Sequence, residues 1–433
     1  MKKQYVLIGL VALMVQFAQA QFTLDGEFRP RTEYRNGFGG LIADDADAGF
    51  GISTRVRLNA GYNTEAYKFY VSFQDIMVWG ENRQILPYDQ NNSFAVFQAW
   101  AELSLGEGWS TKLGRQVLSY DDQRILGGLD WAQQGRNHDA ALLKYKKDKF
   151  AMDVALAFNQ DYSHPTGFVS TGTAYNTSGF FSYKTMQMAH LSQAWESFSG
   201  SLLIMNNGFQ DTDAGLGDVA NLQTIGAHLN YKKDKIGIAA NAYIQTGEAI
   251  YGTAYKDVKS AYLLGLDVTY KASAKVSLGA GLEIISGNDE TDAANTGAFF
   301  PLYGTNHKFN GFMDYFYVGN HANSIGLFDV HVSANFKLND TSSLMVKALN
   351  FSGEQELTSG EKSLGTEIDL VYKKAFKGYA LVLGYSQMFA ADGMYDLMTA
   401  RTSNSVTKDN TAGSQNWGWA MLVIKPKFLN GTK

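Results

Sequence analysis

The chain has 433 residues, 18% of them charged and 13% aromatic, with no cysteine and a formal charge of −5. The length suits two or three soluble domains or one large closed barrel, and the missing cysteines exclude disulfide bracing, thiolate metal centres and cysteine nucleophiles. Beyond the N-terminus no apolar run reaches about 18 residues, which excludes helical membrane spans and leaves strand-built ones open.

The first twenty residues read as a secretory signal peptide. Lys2 and Lys3 supply the charged start, Tyr5 to Phe17 is mostly apolar, and Ala18-Gln19-Ala20 fits the small-x-small cleavage rule. No cysteine follows that site, so a lipoprotein anchor is excluded. Removing the two lysines takes the formal charge from −5 to −7.

Strand patterning starts at once. Phe22, Leu24, Gly26, Phe28, Thr32 and Tyr34 share one face of the first segment, and Thr23, Asp25, Glu27, Arg29, Arg31, Glu33 and Arg35 share the other. Period-two alternation puts these sets on opposite sides of a strand. The second segment sets Ile52, Thr54, Val56, Leu58, Ala60 and Tyr62 against Ser53, Arg55, Arg57, Asn59 and Gly61. The third sets Tyr67, Phe69, Val71 and Phe73 against Lys68, Tyr70, Ser72 and Gln74. Further strands are expected near 94–105, 109–117, 138–146, 149–158, 178–190, 196–207, 220–232, 235–247, 259–271, 274–286, 325–337, 340–351, 362–374, 377–389 and 415–428.

The gaps between strands alternate short and long. Asn63-Thr64-Glu65, Lys146-Lys147-Asp148-Lys149 and Leu338-Asn339-Asp340 are typical short ones. Antiparallel strands joined this way carry tight turns at one end and large loops at the other, as bacterial outer-membrane barrels do. The expected fold is all-β: a closed antiparallel transmembrane barrel of about eighteen strands spanning 21–433, with 1–20 as signal peptide and no plug domain. No fixed-length repeat supports a solenoid.

Arginine is unevenly spread. Nine of the ten lie before residue 137: Arg29, Arg31, Arg35, Arg55, Arg57, Arg83, Arg115, Arg124 and Arg136; the tenth is Arg401. Two roles are open to those on the polar face of the first two strands. They form a ladder that attracts a carboxylate-bearing anion, or they pair with Asp25, Glu27, Glu33 and Glu102 and brace the wall. Two connections add polar and aromatic chemistry. One runs from Leu113 to Asp139 through Tyr120-Asp121-Asp122-Gln123-Arg124, Trp131 and Gln134-Gly135-Arg136, and suits a constriction folded into the lumen. The other, about 287 to 324, holds Tyr303 to Gly319 with its many aromatics, and is expected to pack into the barrel mouth.

On Gly114-Arg115-Gln116, Asp122-Gln123-Arg124, Trp131 to Arg136, His138-Asp139, His307 to Tyr315, Leu364 to Asp369 and Gly384 to Phe389, the chain resembles the alginate export family of outer-membrane porins over nearly its whole mature length. The resemblance implies an eighteen-stranded barrel. It also implies passive passage of an anionic polyuronate through a positively lined constriction, with Arg29, Arg31, Arg55, Arg57, Arg115, Arg124 and Arg136 as the lining by position. The alternatives are a general or small-anion porin or, from a different class, an outer-membrane enzyme or surface adhesin.

Other sites are weaker. Asp44-Asp45-Asp47 and Asn288-Asp289-Glu290-Asp292 gather oxygen ligands without matching a calcium loop, and the seven histidines show no zinc spacing. His190, Ser192 and Ser197 form no convincing triad. No enzyme activity, cofactor, metal or nucleic-acid partner is expected. The expected partners are outer-membrane lipid, an anionic saccharide and the barrel-assembly machinery. Tight turns are expected in the periplasm of a Gram-negative cell and long loops outside.

Overall fold

The computed structural model describes residues 21–82, 93–159, 183–210, 219–251, 254–289, 294–401 and 406–429. The signal-peptide segment, Arg83, the first part of the strand expected over 178–190, and Glu290 and Asp292 of the second acidic run lie outside them.

Eighteen antiparallel strands form one closed barrel. They are β1 (Gln21–Asn36), β2 (Gly49–Asn63), β3 (Tyr67–Val78), β4 (Ala95–Gly106), β5 (Trp109–Gln116), β6 (His138–Lys147), β7 (Phe150–Phe158), β8 (Thr185–Ala194), β9 (Phe198–Gln210), β10 (Val219–Lys233), β11 (Ile236–Tyr251), β12 (Ala254–Lys271), β13 (Val276–Ile285), β14 (Leu327–Asn339), β15 (Ser342–Ser352), β16 (Ser363–Ala375), β17 (Tyr379–Ala390) and β18 (Gln415–Ile424). Two short pieces, Asn295–Thr296 and Lys427–Leu429, add to the sheet, and one helix, α1 (Asp392–Arg401), follows β17. The barrel closes where β1 pairs with β18, from Phe28↔Ile424 to Asn36↔Asn416. Pro30 has no N–H to give this seam, and the ladder skips from Phe28 to Arg31.

Three expected boundaries differ, and for two of them the cause is a local feature of the chain. The eighth strand, expected over 178–190, runs Thr185–Ala194 in the described residues. The long gap expected between 247 and 259 is mostly strand. After a bulge at Gln245/Gly247 the β11–β12 ladder continues to Tyr251↔Ala254, so this hairpin is longer than the alternation suggested. The last strand, expected over 415–428, breaks at Pro426, whose carbonyl accepts from the Gly26 amide (3.0 Å) before the chain pairs again near Leu24.

The wall reads as alternation requires. On β1, Phe22, Phe28 and Tyr34 are exposed on the outside while Glu27, Arg29, Arg31 and Glu33 are buried inside. The inner face is not uniform along its height. Toward the tight turns β9 presents Ser199 and Ser201 inward; toward the long connections it presents Leu203 and Met205, both buried. β12 changes likewise, from Asp267, Thr269 and Lys271 to buried Leu263. On the long-connection side the lumen is therefore packed with buried side chains, apolar ones around buried polar groups such as Glu283 and Glu367, and on the tight-turn side it is a polar vestibule.

Ile204 sits 45% exposed on the outer face of β9, opposite Ala189 and Ile225. Ile204→Arg should lower the folding free energy in lipid vesicles by about 2–4 kcal/mol, the cost of a cation near the bilayer midplane. Reversible denaturant unfolding of the reconstituted barrel checks this, and an unchanged midpoint would show that this face does not meet hydrocarbon.

Candidate functional site

The β5–β6 connection, 117–137, has no strand partner along most of its length, so its backbone groups need other partners. Arginines supply them. Arg29 donates to the carbonyls of Asp130 (2.7 Å) and Ala132 (3.1 Å) and to Gln133 Oε1 (2.9 Å). Arg31 reaches the Trp131 carbonyl (2.9 Å) and lies over the Trp131 ring at 4.5 Å. Arg55 donates to the Gln133 carbonyl (3.1 Å) and to Asp130 Oδ1 (2.9 Å), with Glu27 as its buried carboxylate partner. Arg57 bonds Gln74 (2.6 Å) and Asp130 (3.2 Å) and covers Phe97. A guanidinium has five donors in a rigid fork, which suits a row of carbonyls better than any other side chain. Burial pushes the Asp130 carboxyl up, but Arg55, Arg29 and Arg57 together hold it below its usual range.

The same connection is anchored on the far wall. Asp121 accepts from His190 Nε2 (3.0 Å) on β8 and Ser201 Oγ (2.7 Å) on β9. Asp122 accepts from Asn241 (2.6 Å) on β11. Arg124, with no exposed side-chain surface, forks onto Glu283 of β13 at 2.8 and 2.7 Å. A segment held by β1–β3 at one end and β8–β13 at the other crosses the inside of a closed barrel.

A second connection, 286–326, packs against the first. The Gly127 amide donates to the Tyr303 carbonyl (2.9 Å), and the Tyr303 amide to the Ile125 carbonyl (3.0 Å). The backbones approach so closely that a Cβ at Gly127 would meet Thr305 Oγ1 at 2.2 Å, and one at Gly304 the Arg124 carbonyl at 2.3 Å. Arg124 also bonds Asn306 (2.8 Å) and Asn310 (3.1 Å). Trp131 stacks on His307 at 4.5 Å, and Asp314 orients that imidazole from 2.9 Å. Asn207 on β9, Gln245 on β11 and Glu367 on β16 hold Tyr303, Phe300 and Met313. Arg401, at the end of α1, binds the Tyr315 and Asn320 carbonyls. Phe299, Leu302, Met313 and Tyr315 have no exposed surface, so this loop packs inside as its aromatics suggested.

Toward the tight turns lies the vestibule. One cavity of about 350 Å³ is lined by Asp25, Arg57, Asn59, Ser72, Asp130 and Lys425. Another of about 560 Å³ is lined by Ser199, Asn230, Lys232, Asp267, Thr269 and Lys271. Lysines on the inward face recur around the wall. Lys112 lies over Trp100 at 3.9 Å, Lys425 pairs with Glu27 at 3.2 Å, and Lys144 stands 4.0 Å from Asp153. Lys146, Lys232, Lys271 and Lys373 occupy inward positions at the ends of β6, β10, β12 and β16 and are exposed.

Comparison with known proteins agrees with this architecture. The family model for alginate export matches residues 20–407. The chain belongs to the alginate export family. No curated protein matches it in sequence. The barrel is similar to OccAB4 of Acinetobacter baumannii (15% identity, TM-score 0.61, covering 94% of this chain and 99% of that one). It is also similar to OccK2 (OpdF) of Pseudomonas aeruginosa, solved in complex with glucuronate (11% identity, TM-score 0.59, 94% and 97%). OpdQ of P. aeruginosa gives 12% identity and a TM-score of 0.57 over 94% and 98%. Family and fold place this protein among porin-type channels of the outer membrane.

In this alginate export family barrel the seven arginines singled out from sequence do not act as one set. Arg29, Arg31 and Arg55 are buried under the crossing segment, and Arg57 borders the smaller cavity. Arg124 is enclosed, and Arg136 donates to the Gly304 carbonyl (3.3 Å). Arg115 corrects the sequence expectation. It alternates with inward Gln116, shares a face with exposed Leu113, and pairs with Asp139 (2.8 Å) on the outside of the wall. Of the acids considered as partners, Glu27 and Glu33 do pair with arginines. His190 points inward to Asp121. Among the described residues no three metal-ligating side chains gather. Sequence reasoning missed Asp130 and the joint that Gln133 makes with Arg29; it expected an Arg/Lys-lined lumen without naming which lysines, and these were marked by their place on the inward stripe.

Arg55→Met should free the crossing segment: single-channel conductance and open-state noise rise while the barrel keeps its heat-dependent gel mobility, and unchanged current would mean the clamp does not narrow the path. The Asp130 side chain is 65% exposed to the vestibule. Its lowered pKa means its pairs with the arginines are complete above the ordinary value of 3.8 and are lost only as pH falls through the depressed value. Channel noise should therefore stay flat from neutral pH to about 4 and rise below it, and Asp130→Asn should abolish that acid step in bilayer recordings.

Proposed function

We propose that the barrel is a passive, anion-favouring channel for acidic saccharides of the uronate type, with tight turns in the periplasm and long connections outside. The observation that carries this reading is the distribution of inward lysines around the vestibule, below a constriction held by arginines. A lysine ammonium is a compact, strongly hydrated point charge on a flexible stem. It attracts a carboxylate without gripping it in two-pronged geometry, which a conducting site needs, since a permeant ion must also leave. Low-dielectric walls focus the field and raise the local anion concentration. Asn59, Ser72, Ser199, Asn230 and Thr269 place hydrogen-bonding groups for sugar hydroxyls along the same walls. Tyr70 and Trp100, stacked at 5.3 Å beside Lys112, offer an aromatic face for a sugar ring. The glucuronate complex of OccK2 supports a uronate cargo for a barrel of this fold.

In a planar bilayer with a potassium chloride gradient, the reversal potential should report anion preference, and glucuronate should lower the chloride current. Replacing Lys146, Lys232, Lys271 and Lys373 together by glutamine should reduce the anion-to-cation permeability ratio by about threefold or more. Cation preference in the wild-type protein would sink the proposal. Chloride preference with no response to uronate would leave a small-anion porin in its place.

A further inference from the structure

Three even-numbered strands carry the same tripeptide at the tight-turn rim: Tyr145-Lys146-Lys147 on β6, Tyr231-Lys232-Lys233 on β10 and Tyr372-Lys373-Lys374 on β16. Strand alternation splits each of them. The first lysine points into the lumen; the tyrosine and the second lysine point out. The registers agree. Lys233 lies opposite Ile236, which is 46% exposed on the outer wall, and Lys147 lies opposite Phe150, whose face carries exposed Leu156 and Phe158. The rim around these lysines is aromatic. Tyr145 packs on Trp109 at 4.6 Å, Phe376 stacks on Tyr379 at 4.6 Å, and Lys374 lies 5.9 Å over the Phe376 ring while donating to Thr341 Oγ1 (2.7 Å). The turns are basic as well. Segments 145–149 and 231–235 each hold three lysines against one aspartate, and 372–377 holds three against none.

Tyrosine belts mark the level at which a bilayer gives way to water, and lysines just beyond them sit among lipid headgroups. The inward lysines serve the lumen, but Lys147, Lys233 and Lys374 cannot reach it. We propose that this outer rim is a binding surface for anionic phospholipid, its outward lysines pairing with the headgroup phosphates of the leaflet at the tight-turn end. The surface is independent of the cargo reading, since it lies on the other side of the wall.

The test uses the mature protein and native mass spectrometry with phosphatidylglycerol or phosphatidylethanolamine in mixed micelles. The wild type should retain phosphatidylglycerol preferentially. Lys147→Gln, Lys233→Gln and Lys374→Gln together should cut that preference about tenfold, with heat-dependent gel mobility showing an intact barrel and anion selectivity unchanged. The corresponding Lys→Arg triple, which keeps the charge, should restore it and guards against a folding artefact. Lys146→Gln, Lys232→Gln and Lys373→Gln should leave lipid retention at the wild-type level while lowering anion selectivity. Wild-type phosphatidylglycerol preference in the outward glutamine triple would overturn the proposal. So would an equal loss in the inward triple, which would place the lipid phosphate in the vestibule.

Discussion

The structure depends on how unpaired backbone is satisfied inside a closed barrel. Once 117–137 leaves the sheet and crosses the lumen, its carbonyls lose both ladder partners and open solvent. Guanidiniums on β1 and β2 take over. Arg29 and Arg55 between them bond the carbonyls of Asp130, Ala132 and Gln133, and the Glu27 carboxylate balances their charge from the same wall. Removing one member of such a buried pair typically costs about 3–5 kcal/mol because its partner is left uncompensated. The clamp is therefore stiff, and it decides where the crossing segment sits.

From that placement the division of the lumen follows. The crossing segment and the 286–326 connection share backbone hydrogen bonds and an aromatic junction at Trp131, His307 and Trp417. They bury the inward residues on the long-connection side, where Leu203, Met205 and Leu263 pack beside polar anchors such as Asn207, Gln245, Glu283 and Glu367. On the tight-turn side no connection among the described residues fills the interior, and the inward residues there include Ser, Asn, Thr, Asp and Lys. Arginine and lysine divide the electrostatic work by their own chemistry. The rigid fork suits a fixed structural joint, and the flexible hydrated ammonium suits a wall that anions pass.

The strands were legible because lipid on one side and lumen on the other impose a strict period of two, and all eighteen lie within a few residues of where the alternation puts them, apart from the start of β8. The boundaries that moved for a visible reason did so at Pro426 and at the Gln245/Gly247 bulge, features that periodicity does not register. The contents of the lumen were less legible. Arg29 and Arg55 sit on an inward stripe whether they face water or a folded-in backbone, and only the position of Asp130 to Gln133, a hundred residues away in β1's case, distinguishes these. Arg115 was readable and was misassigned: the alternation of Lys112, Gly114 and Gln116 against Leu113 and Arg115 already turns it outward. The depth of the loop plug was also written in the chain, where β9 and β12 become apolar on both faces.

The most direct measurement is the conductance of a barrel from which the crossing segment has been removed. Gln116 and His138 are register partners across β5 and β6, so residues 117–137 can be replaced by a two-residue hairpin turn without disturbing the wall. Single-channel recordings of that protein should show a conductance several times that of the wild type with weaker discrimination among anions. A barrel that folds and conducts as the intact chain does would contradict the claim that an arginine-held segment sets the width of the passage.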